Sequence, residues 1–179
     1  MRLVLLGRDG VINEISHRFI ASPEEWSPIP GSIRAIARLS HAHYHIVVAS
    51  NQPALASGAL SIGTLNRIHE CLRREVADEG GHIDAMIFCP HAAAEQCHCH
   101  KPRPGMFREI GERLHIGLET VPVIGDSLAD IEAARAVGAR PMLVRTGRGR
   151  LTEERGTGLR DVPIFDDLAS AVDALLQAA

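Results

Sequence analysis

No apolar run in this 179-residue sequence approaches the roughly 18 residues of a membrane-spanning helix, and the N-terminus lacks the basic-then-apolar order of a secretory signal. Neither a membrane anchor nor export is expected, and the expected compartment is the cytoplasm. A strong excess of one sign of charge is missing too. Nineteen Lys and Arg against 22 Asp and Glu leave a net charge of −3, no electrostatic basis for nucleic acid or an anionic membrane as partner. Internal repeats and low-complexity segments are absent. The length suits one buried domain, residues 1–179, and is too short for two; a monomer is expected. Cysteine is scarce, and cytoplasmic disulfides are rare, so the four cysteines need another explanation. Cys71 fits ordinary helix packing, whereas the other three are clustered.

What is present is alternation. Near-continuous apolar runs, the pattern of strands buried on both faces, predict strands over 2–6, 44–49, 83–88, 121–124, 141–144 and 162–165. Helical spacing lies between them. Residues 32–40 place Ile33, Ile36 and Ala37 on one face, and 64–79 do the same with Leu65, Ile68, Leu72 and Val76 before Gly80-Gly81 stops the helix. Ser127-x-x-Asp130 is a capping box for a helix that Gly138 closes. A last helix over Leu168, Val172 and Leu175 is capped by Asp166 or Asp167. Strand–helix alternation predicts an α/β fold, a single Rossmann-like doubly wound parallel sheet. Ligands of such sheets bind beyond the carboxyl ends of the strands.

The residues with chemistry fall there. Strand one runs into Gly7-Arg8-Asp9, strand two into Ser50-Asn51-Gln52, the third leads to Cys89-Pro90-His91 and Lys101, and the fourth to Gly125-Asp126-Ser127 with Asp130. A lysine and a hydroxyl can hold phosphate oxygens, and carboxylates can hold Mg²⁺, so the combination suits a phosphoryl site. Gly147-Arg148-Gly149-Arg150 lacks the lysine and helix context of a phosphate loop and is read as a mobile surface loop whose cations help attract an anion. His41, His43 and His45 lack a completing cysteine or carboxylate and are expected to be exposed or packing residues. Trp26 is expected to pack the loop after strand one.

Cys89-x-His91 and Cys97-x-Cys99, in a loop over 89–100, offer three thiolates and an imidazole, a tetrahedral set typical of structural Zn²⁺. His98 and His100 compete for the fourth position. The zinc is expected to hold this loop over the active site.

The order "RDGVIN", "ASNQ", "HKPRPGM" and "IGDSLADIEAARAVGA" resembles the four signature motifs of the haloacid dehalogenase superfamily. The segment "CPHAAAEQCHCHKPRPGM" narrows the resemblance to the D,D-heptose 1,7-bisphosphate phosphatase family, which serves bacterial lipopolysaccharide or S-layer heptose synthesis. The resemblance runs from Leu3 to about Thr146. It implies a haloacid dehalogenase-like domain without a large cap, a zinc-binding loop, Mg²⁺ and a small phosphorylated sugar as substrate. It further implies that Asp9 is the general acid/base and touches the metal through its carbonyl, that Ser50 and Lys101 hold the phosphoryl group, and that Asp126 binds Mg²⁺ with Asp130 behind it. Asn51 and Gln52 fall in the substrate-binding loop.

One residue of the pattern is missing. The family's nucleophile, the first aspartate of D-x-D, is here Gly7, which has no side chain to attack phosphorus or bind metal. Pro53 and Ala54 replace Ser-Gly, and Ser57 and His100 replace two arginines of the family's anion-binding surface. Three functions are compatible with this: an active or weakly active phosphatase, a pseudo-phosphatase binding a phosphosugar or a protein, and a zinc-bound structural or interaction domain. A natural drift or an engineered nucleophile knockout would each account for Gly7.

Overall fold

The computed structural model describes residues 2–15 and 18–178. Strands β1 (Arg2–Leu6), β2 (Tyr44–Asn51), β3 (Ala85–Cys89), β4 (Pro122–Gly125), β5 (Arg140–Val144) and β6 (Ile164–Phe165) form one parallel sheet in the order β3-β2-β1-β4-β5-β6. Between them run helices α1 (Ser32–His41), α2 (Ile62–Asp78), α3 (Gly105–Leu114), α4 (Leu128–Arg135) and α5 (Gly149–Arg155), and α6 (Leu168–Gln177) comes last.

Successive strand residues point to opposite faces, and here each face has its own core. Val4, Leu6, Ile46 and Val48 pack with Ile36 and Leu39 of α1, Leu72 and Val76 of α2, and Val172 and Leu175 of α6. Leu3, Leu5, Val47, Ala49 and Val123 pack with Phe107 and Ile110 of α3 and Ala133 and Ala134 of α4. Burial of both faces is why the strands read as unbroken apolar runs. The strand order reverses between β1 and β4, which places the ligand crevice of such a sheet beyond their carboxyl ends.

Some boundaries differ from the sequence expectation. β2 continues through Ser50 and Asn51 because these polar residues pair with Phe88 and Cys89 of β3. β3 begins at Ala85 and carries Cys89 at its tip. Ser61 caps α2, accepting from the Thr64 N–H at 3.0 Å, and Asp167 rather than Asp166 caps α6. Ser127 and Asp130 form the capping box of α4, and Gly138 follows that helix at φ +71°.

Two helices are not legible in the spacing. α3 starts directly after Pro104; Gly105 is required there because a Cβ would fall on the His98 carbonyl oxygen. The expected loop at 147–150 instead opens α5, which buries only Gly149 and so shows no apolar face. Arg145 fastens α5: it donates to both carboxylate oxygens of Glu153, at 2.7 and 2.8 Å, and to Asp166 at 2.7 Å. Trp26 donates to Glu75 of α2 at 2.8 Å, packing its loop as expected. Among the described residues, no helix is long and apolar enough to cross a membrane.

Candidate phosphoryl site and metal cluster

Gly7 extends the ladder of β1, donating its N–H to Ile124 of β4 at 2.9 Å. A cleft of about 200 Å³ opens at this point, walled by Gly7, Asp9, Ser50, Lys101, Asp126 and Asp130, with Asn51, His100 and Arg148 on its sides. The tips of four strands thus converge.

The Asp9 carboxylate is held on both oxygens. Oδ1 accepts from Arg8 at 2.7 and 3.1 Å and from Asn13 at 3.1 Å, while Oδ2 accepts from Gln52 at 2.9 Å. Burial alone would raise its pKa; the adjacent Arg8 guanidinium and these hydrogen bonds outweigh burial and hold Asp9 below the ordinary carboxylate range. Gln52 is buried behind Asp9 and also donates to the Ser50 hydroxyl at 3.2 Å, so it positions these groups from outside the cleft wall.

Lys101 is fixed at both ends. The Asn51 amide exchanges two 3.0 Å hydrogen bonds with its backbone, and its ammonium donates to the Ala49 carbonyl at 2.9 Å and to Asp130 at 2.6 Å. Burial would raise the Asp130 pKa, but Lys101 and then Ser127 hold it down. Asp126 goes the other way. Burial, then the nearby Asp130, push it up to about 6 against a 2.8 Å hydrogen bond from the Arg148 N–H. Gly10, at φ +79°, and Gly147, at φ +57°, wall this carboxylate: a Cβ on either would fall on Asp126 Oδ2. A buried carboxylate facing a cleft beside a second one is a donor set suited to a cation.

At Gly7 an added Cβ would stand 2.9 Å from Val11 Cγ2 and 3.5 Å from the Ile124 carbonyl, and Gly7 is not among the glycines with positive φ. The backbone therefore accepts an L-residue if Val11 gives slightly.

Ser57 is not brought to this cleft. Its hydroxyl donates to the Ala54 carbonyl at 3.1 Å, and it lines a separate groove of about 740 Å³ with Leu60, Ile62 and His91. His100 does line the cleft; its N–H donates to Cys97 Sγ at 3.3 Å, and its Nδ1 lies 3.0 Å from the His91 carbonyl.

Among the described residues, the group that could hold a metal is Cys89, His91, Cys97 and Cys99, with ligand atoms all within 4.8 Å of one another. All are free thiols or imidazole. Cys97 lies 3.5 Å from Cys89 and 3.6 Å from Cys99, and His91 Nδ1 lies 3.6 and 3.4 Å from Cys89 and Cys99. A tetrahedral ion with metal–sulfur bonds of about 2.3 Å has edges of about 3.7 Å. Cys89 and Cys99, at 2.9 Å, are closer than that. Burial, then its hydrogen bond with Cys99, push the Cys89 thiol up, whereas burial at Cys97 is outweighed by hydrogen bonds from Cys89 and the His100 N–H, which bring that thiol down to about 7.

Sequence reasoning passed over Arg8 and Asn13, which clamp Asp9, although their spacing of one and four residues from it was a usable signal. The place of Arg148 beside Asp126 had no such signal, since it arrives from another strand end.

A HAD-hydrolase-like family model matches residues 98–171. The D-glycero-beta-D-manno-heptose-1,7-bisphosphate 7-phosphatase of Bordetella bronchiseptica is 45% identical over 179 residues, covering 100% of both chains. That of Pseudomonas putida is 49% identical, covering 98% of this chain and 100% of the relative. The crystal structure of the B. bronchiseptica phosphatase, complexed with magnesium and phosphate, superposes with a TM-score of 0.97 over 100% of both chains. The Burkholderia thailandensis phosphatase structure, 40% identical, gives 0.79 over 98% of this chain and 99% of that one.

Proposed function

The chain belongs to the D-glycero-beta-D-manno-heptose-1,7-bisphosphate 7-phosphatase family, and on that premise we propose that it binds a phosphorylated sugar in the β1–β4 cleft and hydrolyses it poorly. The observation that carries this reading is the convergence of Asp9, Ser50, Lys101 and Asp126 on a cleft where Gly7 presents no side chain. Lys101 and Ser50 would hold phosphoryl oxygens, Asp9 would move a proton to or from the ester oxygen, and Asn51 and His100 would border the sugar. Without a carboxylate at residue 7, covalent transfer to the protein is closed.

Mg²⁺ suits the donor set because Asp126 is an otherwise costly buried anion. Asp126 and the Asp9 carbonyl would hold it, with Asp130 orienting the site through Ser127. When bound, it supplies charge neutralisation for the phosphoryl group. Gly7 removes one ligand, so affinity should be lower than with an aspartate there. Zn²⁺ suits Cys89, His91, Cys97 and Cys99, where it would be structural, all four positions being protein ligands.

The test is phosphate release in a single turnover, with protein in excess over a sugar bisphosphate and Mg²⁺ present. The reading predicts thermal stabilisation by the ligand, lost in Lys101→Ala, with release far slower than binding. Rapid Mg²⁺-dependent release by the unmodified chain would contradict it.

A further inference from the structure

The three clustered sulfurs differ in access. Cys89, at the tip of β3, is fully buried, whereas Cys97 and Cys99 are half-buried. Residues 93–96, directly before Cys97, are all exposed, so a small solute reaches Cys97 from that side. A zinc ligand is held as thiolate, the form of cysteine that attacks oxidants. The His100 N–H donates to Cys97 Sγ at 3.3 Å, and the Arg103 guanidinium is held at the Cys97 carbonyl at 3.2 Å; both support negative charge on that sulfur. Cys89 Sγ stands 3.5 Å from it, within reach as a second thiol.

The same loop carries the lysine of the cleft. The Lys101 N–H donates to Asn51 Oδ1 and its carbonyl accepts from Asn51 Nδ2, both at 3.0 Å, and Asn51 pairs with Cys89 across the β2–β3 ladder. The carbonyl of His98, between Cys97 and Cys99, accepts the Gly105 N–H of α3 at 3.0 Å. A shift of the Cys97 sulfur therefore acts on the Lys101 end of the cleft and on the start of α3.

We propose that Cys97 is an oxidation site for hydrogen peroxide, and that its oxidation to a disulfide with Cys89 dismantles the cluster and loosens the lysine end of the cleft. The assignment rests on the Zn²⁺ reading of the cluster. Cys97 Sγ attacks one peroxide oxygen; the O–O bond breaks, a sulfenic acid forms and the other oxygen leaves as hydroxide. Cys89 Sγ then attacks the Cys97 sulfur; the S–S bond forms, the S–O bond breaks and a second hydroxide leaves. Two thiolates have lost two electrons to one peroxide, which with two protons ends as two waters. Cys99 is the poorer resolving thiol, because linking it to Cys97 closes a ring over His98 alone, whose carbonyl is tied to α3. With Cys89 and Cys97 joined, His91 and Cys99 are too few to complete a tetrahedral site.

The test treats the full chain, as purified, with a slight excess of hydrogen peroxide. A chromogenic chelator reads released zinc, and peptide mass spectrometry maps disulfides. About one zinc per chain should be released as a Cys89–Cys97 disulfide forms, and dithiothreitol with Zn²⁺ should reverse both. Hydrogen exchange at the Lys101 and Gly105 N–H groups should quicken by at least about tenfold, with that of Leu175 in α6 unmoved. Cys97→His keeps a fourth ligand but has no sulfur to oxidise, so it should retain zinc and slow exchange through the same treatment. Cys71→Ser, outside the cluster, should behave as the parent. Zinc retained by the parent, or lost equally fast from Cys97→His, would overturn the proposal while the zinc reading stands. Should Cys97→His not fold, the parent decides alone: a disulfide without Cys97, or Lys101 exchange unchanged on oxidation, would overturn it. A chain that holds no zinc as purified removes the zinc reading and this proposal with it.

Discussion

Lys101 donates a 2.6 Å hydrogen bond to Asp130, and each side chain is only 7% exposed. The pair joins the end of the candidate metal-cluster loop to α4, so the lysine proposed to hold the phosphoryl group is aimed by a carboxylate that arrives from a different strand. Removing one partner strands a buried charge. Asp130→Asn should therefore destabilise the fold by about 3 kcal/mol or more, whereas Lys101→Met with Asp130→Leu should cost much less. Urea unfolding of both variants checks the difference.

Removal of the cluster metal should unfasten more than its own loop. The Gly105 N–H at the start of α3 donates to the His98 carbonyl at 3.0 Å, so the loop packs on that helix. Metal analysis should find about one zinc per chain. Cys97→Ser or Cys99→Ser should cost several kcal/mol or prevent folding, because binding a structural zinc is folding free energy. Zinc-free protein that tolerates both substitutions would refute the assignment.

Asp84 supplies a pH-dependent clasp far from the cleft. It accepts from the Ile46 N–H at 2.7 Å and meets His45 Nδ1 at 2.8 Å. Burial would raise its pKa, but those two contacts hold it below the ordinary value. A depressed folded pKa means the contribution is complete above the unfolded value near 3.8 and is lost as pH falls through the folded one. The melting-temperature gap between the parent and Asp84→Asn should thus be full at pH 6 and shrink steadily below pH 4.

The two positions where the sequence resemblance led to an expectation of arginine, Ser57 and His100, should respond unequally. His100 lines the cleft, whereas Ser57 lines the 740 Å³ groove and hydrogen-bonds within its own turn. His100→Arg should tighten inorganic phosphate binding by several-fold, and Ser57→Arg by less than twofold, measured by calorimetry. The reverse order would show that the β2–α2 loop closes over the cleft when anion is bound.

The sheet and the cleft were legible in the sequence for the same reason. Strands buried on both faces leave unbroken apolar runs, and a parallel sheet sends every run's polar tail to one edge; Asp9, Ser50, Lys101 and Asp126 could be grouped before any coordinates. The Cys89, His91, Cys97 and Cys99 cluster was legible because local spacing nearly determines its geometry, while the choice between His91 and its competitors His98 and His100 needed the fold. α3 was hidden because Pro104 and Gly105 read as loop chemistry, and Gly105 is there for a tertiary contact. α5 was hidden because it buries almost nothing. The groove that Ser57 faces was not legible because a loop residue's direction is set by its turn, and no periodicity reports it.

The central claim is that the cleft is a complete phosphoryl site except for the carboxylate at residue 7. Gly7→Asp tests it most directly, with initial-rate phosphatase assays on a generic phosphomonoester in Mg²⁺. Val11 Cγ2, 2.9 Å from the new Cβ, must shift, so Gly7→Asp with Val11→Ala is assayed alongside to separate crowding from chemistry. The account predicts a rise of at least about 10² in kcat/KM, or about 2.7 kcal/mol of barrier, because nucleophile and metal ligand return together. Folded variants of both kinds with no gain in rate would contradict it.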